Sequence, residues 1–416
     1  MINFARRILL ITVACLIAIG LAKANPVRKT IQVDGWEREY LIYTPQHPQK
    51  EKADGVIVCL HGFGRTMNDF FDEYNVSSVA DSLNLIIVAP QALPEQNPSV
   101  KAMAQTISNF TNNQISLNSV WGCGLAVKAN STLFGISLLN EELNRDIDDV
   151  NFINQLIDTV VSEYSLSSGK IFVLGTSMGG YMAYQFALKK GERLSGLVSI
   201  AGSMGLAIKG LDYTKKLPVC DFHSLTDEVV PYSGSYVQLL VNVSLAMDET
   251  DVIKYWATTN VTGTPVVEQV QNYPSSNGIT VEKITYPNSV NEVIHYKMDG
   301  ASHDYFFRKE NGDCMDYLEE ISRFIRSHLP EALTPITDVP VQQPFFYPNP
   351  VQDMIYFETM NGIVSIYDIS GKKIISQSFS SGQTDLSSLK PGIYIIQVQS
   401  GNTIQVNRFI KSGFSK

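Results

Sequence analysis

Residues 170–181 read KIFVLGTSMGGY, and this stretch constrains the fold more than any other. The apolar, β-prone run 171–174 leads into Gly175-Thr176-Ser177-Met178-Gly179. Tyr181-Met182-Ala183-Tyr184-Gln185-Phe186-Ala187 follows and predicts a helix. A strand that turns into a helix within five residues leaves little room at the corner, so glycines must flank it. The residue at its centre is left pointing out of the sheet edge. Such a corner needs a buried strand with a helix packed back on it, which belongs to α/β architecture. Ser177 in that setting is a candidate acyl-transfer nucleophile.

The rest of the chain agrees with that architecture. Short apolar runs at 55–60, 85–88, 170–174, 196–200 and 217–222 read as strands buried on both faces of a largely parallel sheet. A hairpin is expected at 29–43 around Asp34-Gly35. Residues 148–164 and 314–327 show helical spacing, and 251–264 begins helical and then loosens. Residues 99–143, rich in Asn, Ser and Gly, predict long loops across the face that carries Ser177. After Leu329, Pro330, Pro335, Pro340 and Pro344 mark a linker. Beyond Pro350 come five strand-like runs, 354–357, 363–367, 373–378, 393–398 and 404–409, with Gly-containing turns between them. They predict a small all-β sandwich.

The N-terminus has the pattern of a secretory signal peptide. Arg6-Arg7 is its basic region, 8–21 its apolar region, and Ala22-Lys23-Ala24 its cleavage site. A lipid anchor at Cys15 is the rival reading, but it would cut the apolar region in half. The expected division is therefore a signal peptide at 1–24, a catalytic domain at 25–329, a linker at 330–345 and a C-terminal domain at 346–416. No transmembrane segment is expected in the mature protein. A net charge of -9 argues against a nucleic-acid partner. Of the cysteines left after cleavage, Cys59 and Cys220 fall in apparent buried strands and read as small hydrophobes. Cys123 and Cys314 lie in loop-like sequence and are the pair favoured for a disulfide. No Cys/His cluster suggests a metal site, and no cofactor is expected.

A serine hydroxyl needs a base, and the base needs an orienting carboxylate. On sheets with such corners these follow the serine in the order Asp or Glu, then His. His303 lies in the small-residue loop Asp299-Gly300-Ala301-Ser302-His303, just before the last amphipathic run, and is the expected base. His295, in an apparent strand, and His328, in the last helix, read as structural. Asp227 follows the strand 217–222 and is the expected acid, with Glu228 and Asp221 as alternatives. The oxyanion needs two backbone N–H donors. Met178, directly after the serine, supplies one. Phe63, in His61-Gly62-Phe63-Gly64 after an early strand, is the choice for the other, with His61 shaping that loop. Trp121, Tyr181, Tyr232 and Tyr305 are candidates to line an aromatic acyl pocket, with core packing the alternative.

These residues resemble the polyhydroxybutyrate depolymerase-like and feruloyl esterase-like proteins of carbohydrate esterase family 1. The matching stretches include HGFGRTMNDF, KIFVLGTSMGGYMAY, HSLTDEVVPYSG and MDGASHDYFF. The resemblance implies an α/β-hydrolase fold with a mostly parallel sheet and the triad Ser177, Asp227, His303. The chain departs from the family at Ser224, where glycine is common, and in having Tyr305-Phe306-Phe307 where a tryptophan is usual. The C-terminal part resembles the type A sorting domain of the type IX secretion system. It does so at Tyr347-Pro348-Asn349-Pro350, Val364-Ser365-Ile366-Tyr367-Asp368, Pro391-Gly392-Ile393-Tyr394 and Arg408-Phe409-Ile410-Lys411. This implies transit through the periplasm, recognition of 346–416 by the secretion machinery, and release or surface attachment.

The expected function is an exported serine esterase acting through an acyl-enzyme. Feruloyl or acetyl esters of polysaccharide and hydroxyalkanoate polyesters are the expected substrates. A prolyl-oligopeptidase-like peptidase is an alternative, though the chain lacks the propeller domain of those enzymes. A non-catalytic glycan-binding surface protein is another.

Overall fold

The computed structural model describes residues 25–46, 52–111, 115–129, 132–133, 136–137, 141–166, 170–208, 215–238, 241–244, 246–329, 346–358, 360–368, 372–401 and 403–412. The expected signal peptide at 1–24 and linker at 330–345 lie outside the described residues. The chain divides into two compact units after Pro330.

The first unit is built on a ten-stranded sheet. In chain order its strands are β1 (Val27–Val33), β2 (Trp36–Tyr43), β3 (Gly55–Leu60), β4 (Leu85–Pro90), β5 (Ile171–Thr176), β6 (Gly196–Ile200), β7 (Val219–Ser224), β8 (Val266–Gln269), β9 (Thr280–Tyr286) and β10 (Val293–Asp299). Their spatial order is β1-β2-β4-β3-β5-β6-β7-β10-β9-β8. From β4 to β10 all neighbours are parallel. The hairpin at one edge and β8–β9 at the other are antiparallel. Every residue of β3 to β7 is buried, which is why these strands read as unbroken apolar runs. The hairpin turns at Asp34 and Gly35, both at positive φ (52° and 81°), the backbone that a tight two-residue hairpin turn requires.

Among the described residues, six helices of seven residues or more flank the sheet: α1 (Ser77–Leu83), α2 (Pro98–Thr111), α3 (Asp149–Glu163), α4 (Met178–Lys190), α5 (Glu249–Asn260) and α6 (Tyr317–His328), and a single turn, Asp69–Asp72, precedes α1. Alternate residues of β3 enter two separate apolar cores. Val56, Val58 and Leu60 join Phe152 of α3 and Tyr184 of α4, while Ile57 and Cys59 join Val79 of α1 and Phe324 of α6. Aspartate side chains accept backbone N–H groups at the starts of α3, α5 and α6. α5 stops at Asn260 because Val261 takes a left-handed conformation, which accounts for the loosened sequence pattern after it. Residues 99–143 are not only loops, because α2 opens the segment. Strand Ala126–Ala129 later pairs with Val241–Ser244 and Glu141–Glu142. A buried ion pair closes this side. Arg38 of β2 meets Asp149 of α3 at 2.6 Å, lies over the Phe152 ring at 3.8 Å, and Asp149 also accepts the Gly122 N–H at 2.7 Å.

The expected Cys123–Cys314 pairing is not formed. Cys59, Cys123, Cys220 and Cys314 are all free and buried. Cys123 belongs to one apolar core and Cys314 to the other, so the sheet lies between them. No helix among the described residues is long and apolar enough to cross a membrane.

The second unit is a small β domain. Its strands are β11 (Phe346–Tyr347), β12 (Met354–Phe357), β13 (Gly362–Tyr367), β14 (Lys373–Phe379), β15 (Gln383–Asp385), β16 (Gly392–Ser400) and β17 (Thr403–Lys411). They form two antiparallel sheets, β11-β12-β15 and β14-β13-β16-β17. Phe346, Ile355, Val364, Ile366, Ile396 and Phe409 fill its core. All five strands expected from sequence are present; β11 and β15 are too short to show a period.

Since the cysteines are free, the chain lacking residues 1–24, denatured without reductant, should titrate four thiols. A count of two would restore a bridge and overturn this packing.

Candidate active site

Four loops at the carboxyl ends of parallel strands converge on Ser177. The serine sits between β5 and α4 with φ 52° and ψ −121°, a conformation that costs a residue with a Cβ. Packing holds it there. The Ser177 N–H donates to the Ile200 carbonyl at 2.8 Å, and its own carbonyl accepts the Gly180 N–H at 2.8 Å. The glycines are sterically obligatory. A Cβ on Gly179 would lie 1.8 Å from the Leu60 carbonyl oxygen, and one on Gly175 would lie 2.1 Å from that of Gly179.

His303 Nε2 lies 2.9 Å from Ser177 Oγ, and its Nδ1 lies 2.7 Å from Asp227 Oδ2. Asp227 is fully buried, and its Oδ1 accepts the N–H groups of Val229 and Val230 at 2.9 and 2.7 Å. A carboxylate so held is an acceptor, so His303 Nδ1 donates to it and Nε2 is free to accept the serine proton. The other candidates have other partners. Asp221 meets His295 at 2.9 Å and accepts the Tyr184 hydroxyl at 3.0 Å. Glu228 accepts the His303 backbone N–H at 3.2 Å. His328 donates to the Phe324 carbonyl at 2.9 Å within α6.

The loops carrying Asp227 and His303 are tied together. Ser224 Oγ and Thr226 Oγ1 both donate to the Ala301 carbonyl, at 2.7 and 2.9 Å, and Thr226 Oγ1 accepts the Gly300 N–H at 3.1 Å. Ser224 thus gives a departure from the family's glycine a structural purpose. The loop after β3 has its own lock. His61 Nε2 accepts the Ala92 N–H at 3.1 Å, Nδ1 donates to the Gly62 carbonyl at 2.8 Å, and the ring lies against Trp121 with centroids 4.9 Å apart. Burial lowers the His61 pKa to about 4, so the ring is neutral and shapes the loop. Met178 opens α4, where a first-turn N–H has no partner inside the helix.

A cavity of about 240 Å³ opens over the serine. Gly62, Phe63, Thr176, Ser177 and His303 form its floor, with Tyr74, Tyr305 and Phe306 among its walls. Tyr74 and Phe306 stack at 4.7 Å. Of the four aromatics expected there, only Tyr305 lines it. Trp121 and Tyr181 are core residues, and Tyr232 instead meets His295 Nε2 at 2.9 Å. Arg65 and Tyr74 also line the cavity; neither carries a catalytic signature of its own, so nothing local in the sequence singles them out.

Residues 134–252 match the phospholipase/carboxylesterase family model, and residues 345–412 match the secretion system C-terminal sorting domain. The chain thus has an ester-hydrolase module of α/β-hydrolase fold, and its tail marks it for export to the cell exterior or surface. Similar solved structures include an acetyl xylan esterase from Aspergillus awamori, at 12% identity and a TM-score of 0.44, covering 72% of this chain and 99% of that one. An S-formylglutathione hydrolase from Agrobacterium tumefaciens matches at 14% identity and TM-score 0.39, covering 73% and 92% of the two chains. A Bacillus cereus carboxylesterase matches at 12% identity and TM-score 0.39, covering 70% and 94%. No curated protein matches the chain.

The steric argument separates two glycines. Gly179→Ala should destabilise the chain by more than about 3 kcal/mol or prevent folding, since backbone must move. Gly278→Ala, at φ +78° with open space around it, should cost only about 1 kcal/mol of backbone strain. Denaturant unfolding of the two variants measures the difference.

Proposed function

We propose that this exported ester hydrolase is a serine esterase with Ser177 as nucleophile, His303 as base, Asp227 as orienting acid and the Phe63 and Met178 amides as oxyanion donors. The observation that carries the reading is the unbroken relay from Ser177 Oγ through His303 to Asp227, at 2.9 and 2.7 Å. Ser177 Oγ attacks the ester carbonyl as its proton passes to His303 Nε2. The carbonyl oxygen becomes an oxyanion held by the two backbone N–H groups. As the intermediate collapses, the C–O bond to the alcohol breaks and His303 returns the proton to the leaving oxygen. Water, deprotonated by His303, then cleaves the acyl-enzyme and restores the serine.

The walls of the cavity bear on the acyl group. Tyr74, Tyr305 and Phe306 offer ring faces, and Val229, Ile200 and Ala201 add apolar surface. Such walls suit a feruloyl group on polysaccharide, and the same space admits acetyl or hydroxyalkanoate groups. The domain roles are a signal peptide at 1–24, a catalytic domain at 25–329, a linker at 330–345 and a tail at 346–416 read by the secretion machinery.

Purified protein assayed with p-nitrophenyl acetate, methyl ferulate and a hydroxybutyrate oligomer tests the reading. At least one ester should turn over, and Ser177→Ala should lower kcat by about 10³-fold or more. Activity retained in that variant would sink the mechanism. A folded wild-type protein inert on all three would favour a binding role. Phe306→Ala should raise KM for methyl ferulate by about 10-fold and leave that for p-nitrophenyl acetate nearly unchanged if the rings hold an aromatic acyl group.

A further inference from the structure

Behind Asp227 lies a second histidine that the relay does not use. His223, on β7, is fully buried. Its Nδ1 is 3.0 Å from the Gly202 carbonyl oxygen and its Nε2 is 2.8 Å from the Val230 carbonyl oxygen. A carbonyl oxygen only accepts, so both ring nitrogens must donate. A neutral ring has one N–H and would set a lone pair against a carbonyl, so the geometry requires an imidazolium.

The surroundings suit that charge. Glu249 Oε2 from α5 lies 3.3 Å from Nδ1, and Asp227 Oδ2 lies 3.6 Å from Nε2. The Nδ1 proton is directed to Gly202, so Glu249 meets the ring as an ion pair. Neither Glu249 oxygen has a hydrogen-bond partner among the described residues. Burial by itself lowers a histidine. Here the Glu249 carboxylate, helped by Asp221 and the Val230 carbonyl, outweighs it and raises His223 to about 9. Three further groups complete the shell. His295 of β10 is held between Asp221 and Tyr232, Tyr232 meets the His223 ring edge-on at 5.6 Å, and the buried Tyr181 of α4 is close enough to feel the charges of Glu249 and Asp227.

Asp221, His223 and Glu249 present donor atoms within 4.8 Å of one another, a spacing that also suits a metal ion. A metal needs a ring lone pair, and with both nitrogens donating His223 has none.

We propose that His223 is a positioning residue, a buried imidazolium held by Glu249 that pairs with the Asp227 side chain and aims it at His303. This rests on the reading of Asp227 as the acid of the serine esterase. The charges alternate from Glu249 through His223 to Asp227.

Two measurements on the full chain test this. In ¹⁵N-histidine NMR at pH 7.5, one ring should show both nitrogens protonated and keep them past pH 8. In Glu249→Gln it should lose its second proton at lower pH, because the largest influence opposing burial is gone. A spectrum with no such ring, or one unmoved in Glu249→Gln, overturns the proposal. In steady-state kinetics, His223→Gln and Glu249→Gln should each reduce kcat by about 10-fold with KM little changed. The double variant should lower kcat no further than the worse single variant, because the two groups act as one unit. A folded His223→Gln protein with wild-type kcat would leave His223 a purely structural residue and overturn the proposal. If His223→Gln does not fold, the wild-type and Glu249→Gln spectra still decide. If the wild type hydrolyses no ester, the esterase reading fails while the NMR signature remains a separate result.

Discussion

The close approach of α4 to the end of β3 governs the first unit. With the Leu60 carbonyl 1.8 Å from where a Cβ of Gly179 would begin, only hydrogen can occupy that position. The approach directs Ser177 out of the sheet edge and sets its first-turn amide beside the loop that follows β3. Gly180 and Gly202 repeat the device one layer on, where a Cβ on either would come within 2.8 Å of the other's Cα. The turn after β6 can therefore sit close enough for Ile200 to hold the serine amide. The strain at Ser177 is offset by the burial of α4 along almost its whole length.

The chemistry of the site is organised by buried charge. Asp227, His223 and Glu249 are all removed from water, and each would be costly alone. Together they alternate in sign, and backbone groups satisfy what the side chains do not: two amides on Asp227 and two carbonyls on His223. His61 shows the opposite solution a short distance away. With no carboxylate paired to it, burial outweighs the Gly62 carbonyl and the charge of Asp69, and the ring is neutral. Two histidines on one scaffold thus take opposite charge states for reasons visible in their neighbours.

Much of this was legible in the sequence because the rules involved are local. The corner at Ser177 announces itself through glycines and a switch from strand to helix texture. Asp227 and His303 follow strands in a fixed order, and the tail declares its strands through period-two patterning and turns. What escaped was set by distance in sequence. Tyr74 meets Phe306 only because α6 and the segment before α1 pack on the same side of the sheet. Cys123 and Cys314 looked alike as loop cysteines, yet the sheet separates them, which no spacing rule reveals. Trp121 looked like a candidate to line the pocket, but its indole N–H donates to the His61 carbonyl at 2.9 Å beneath the loop. The pairing of His223 with Glu249 also joins residues far apart in sequence.

Ser224 and Thr226 both hold the Ala301 carbonyl, and Gly300 returns a bond to Thr226. The turn that carries Asp227 and the turn that carries His303 are thereby one mechanical part, cast from two distant pieces of chain. Neither can be lengthened, shortened or replaced from a relative without the other losing its footing. Variation in a lineage carrying this clamp would be expected to arrive in matched pairs of loops, and any attempt to graft the site elsewhere must transplant both together.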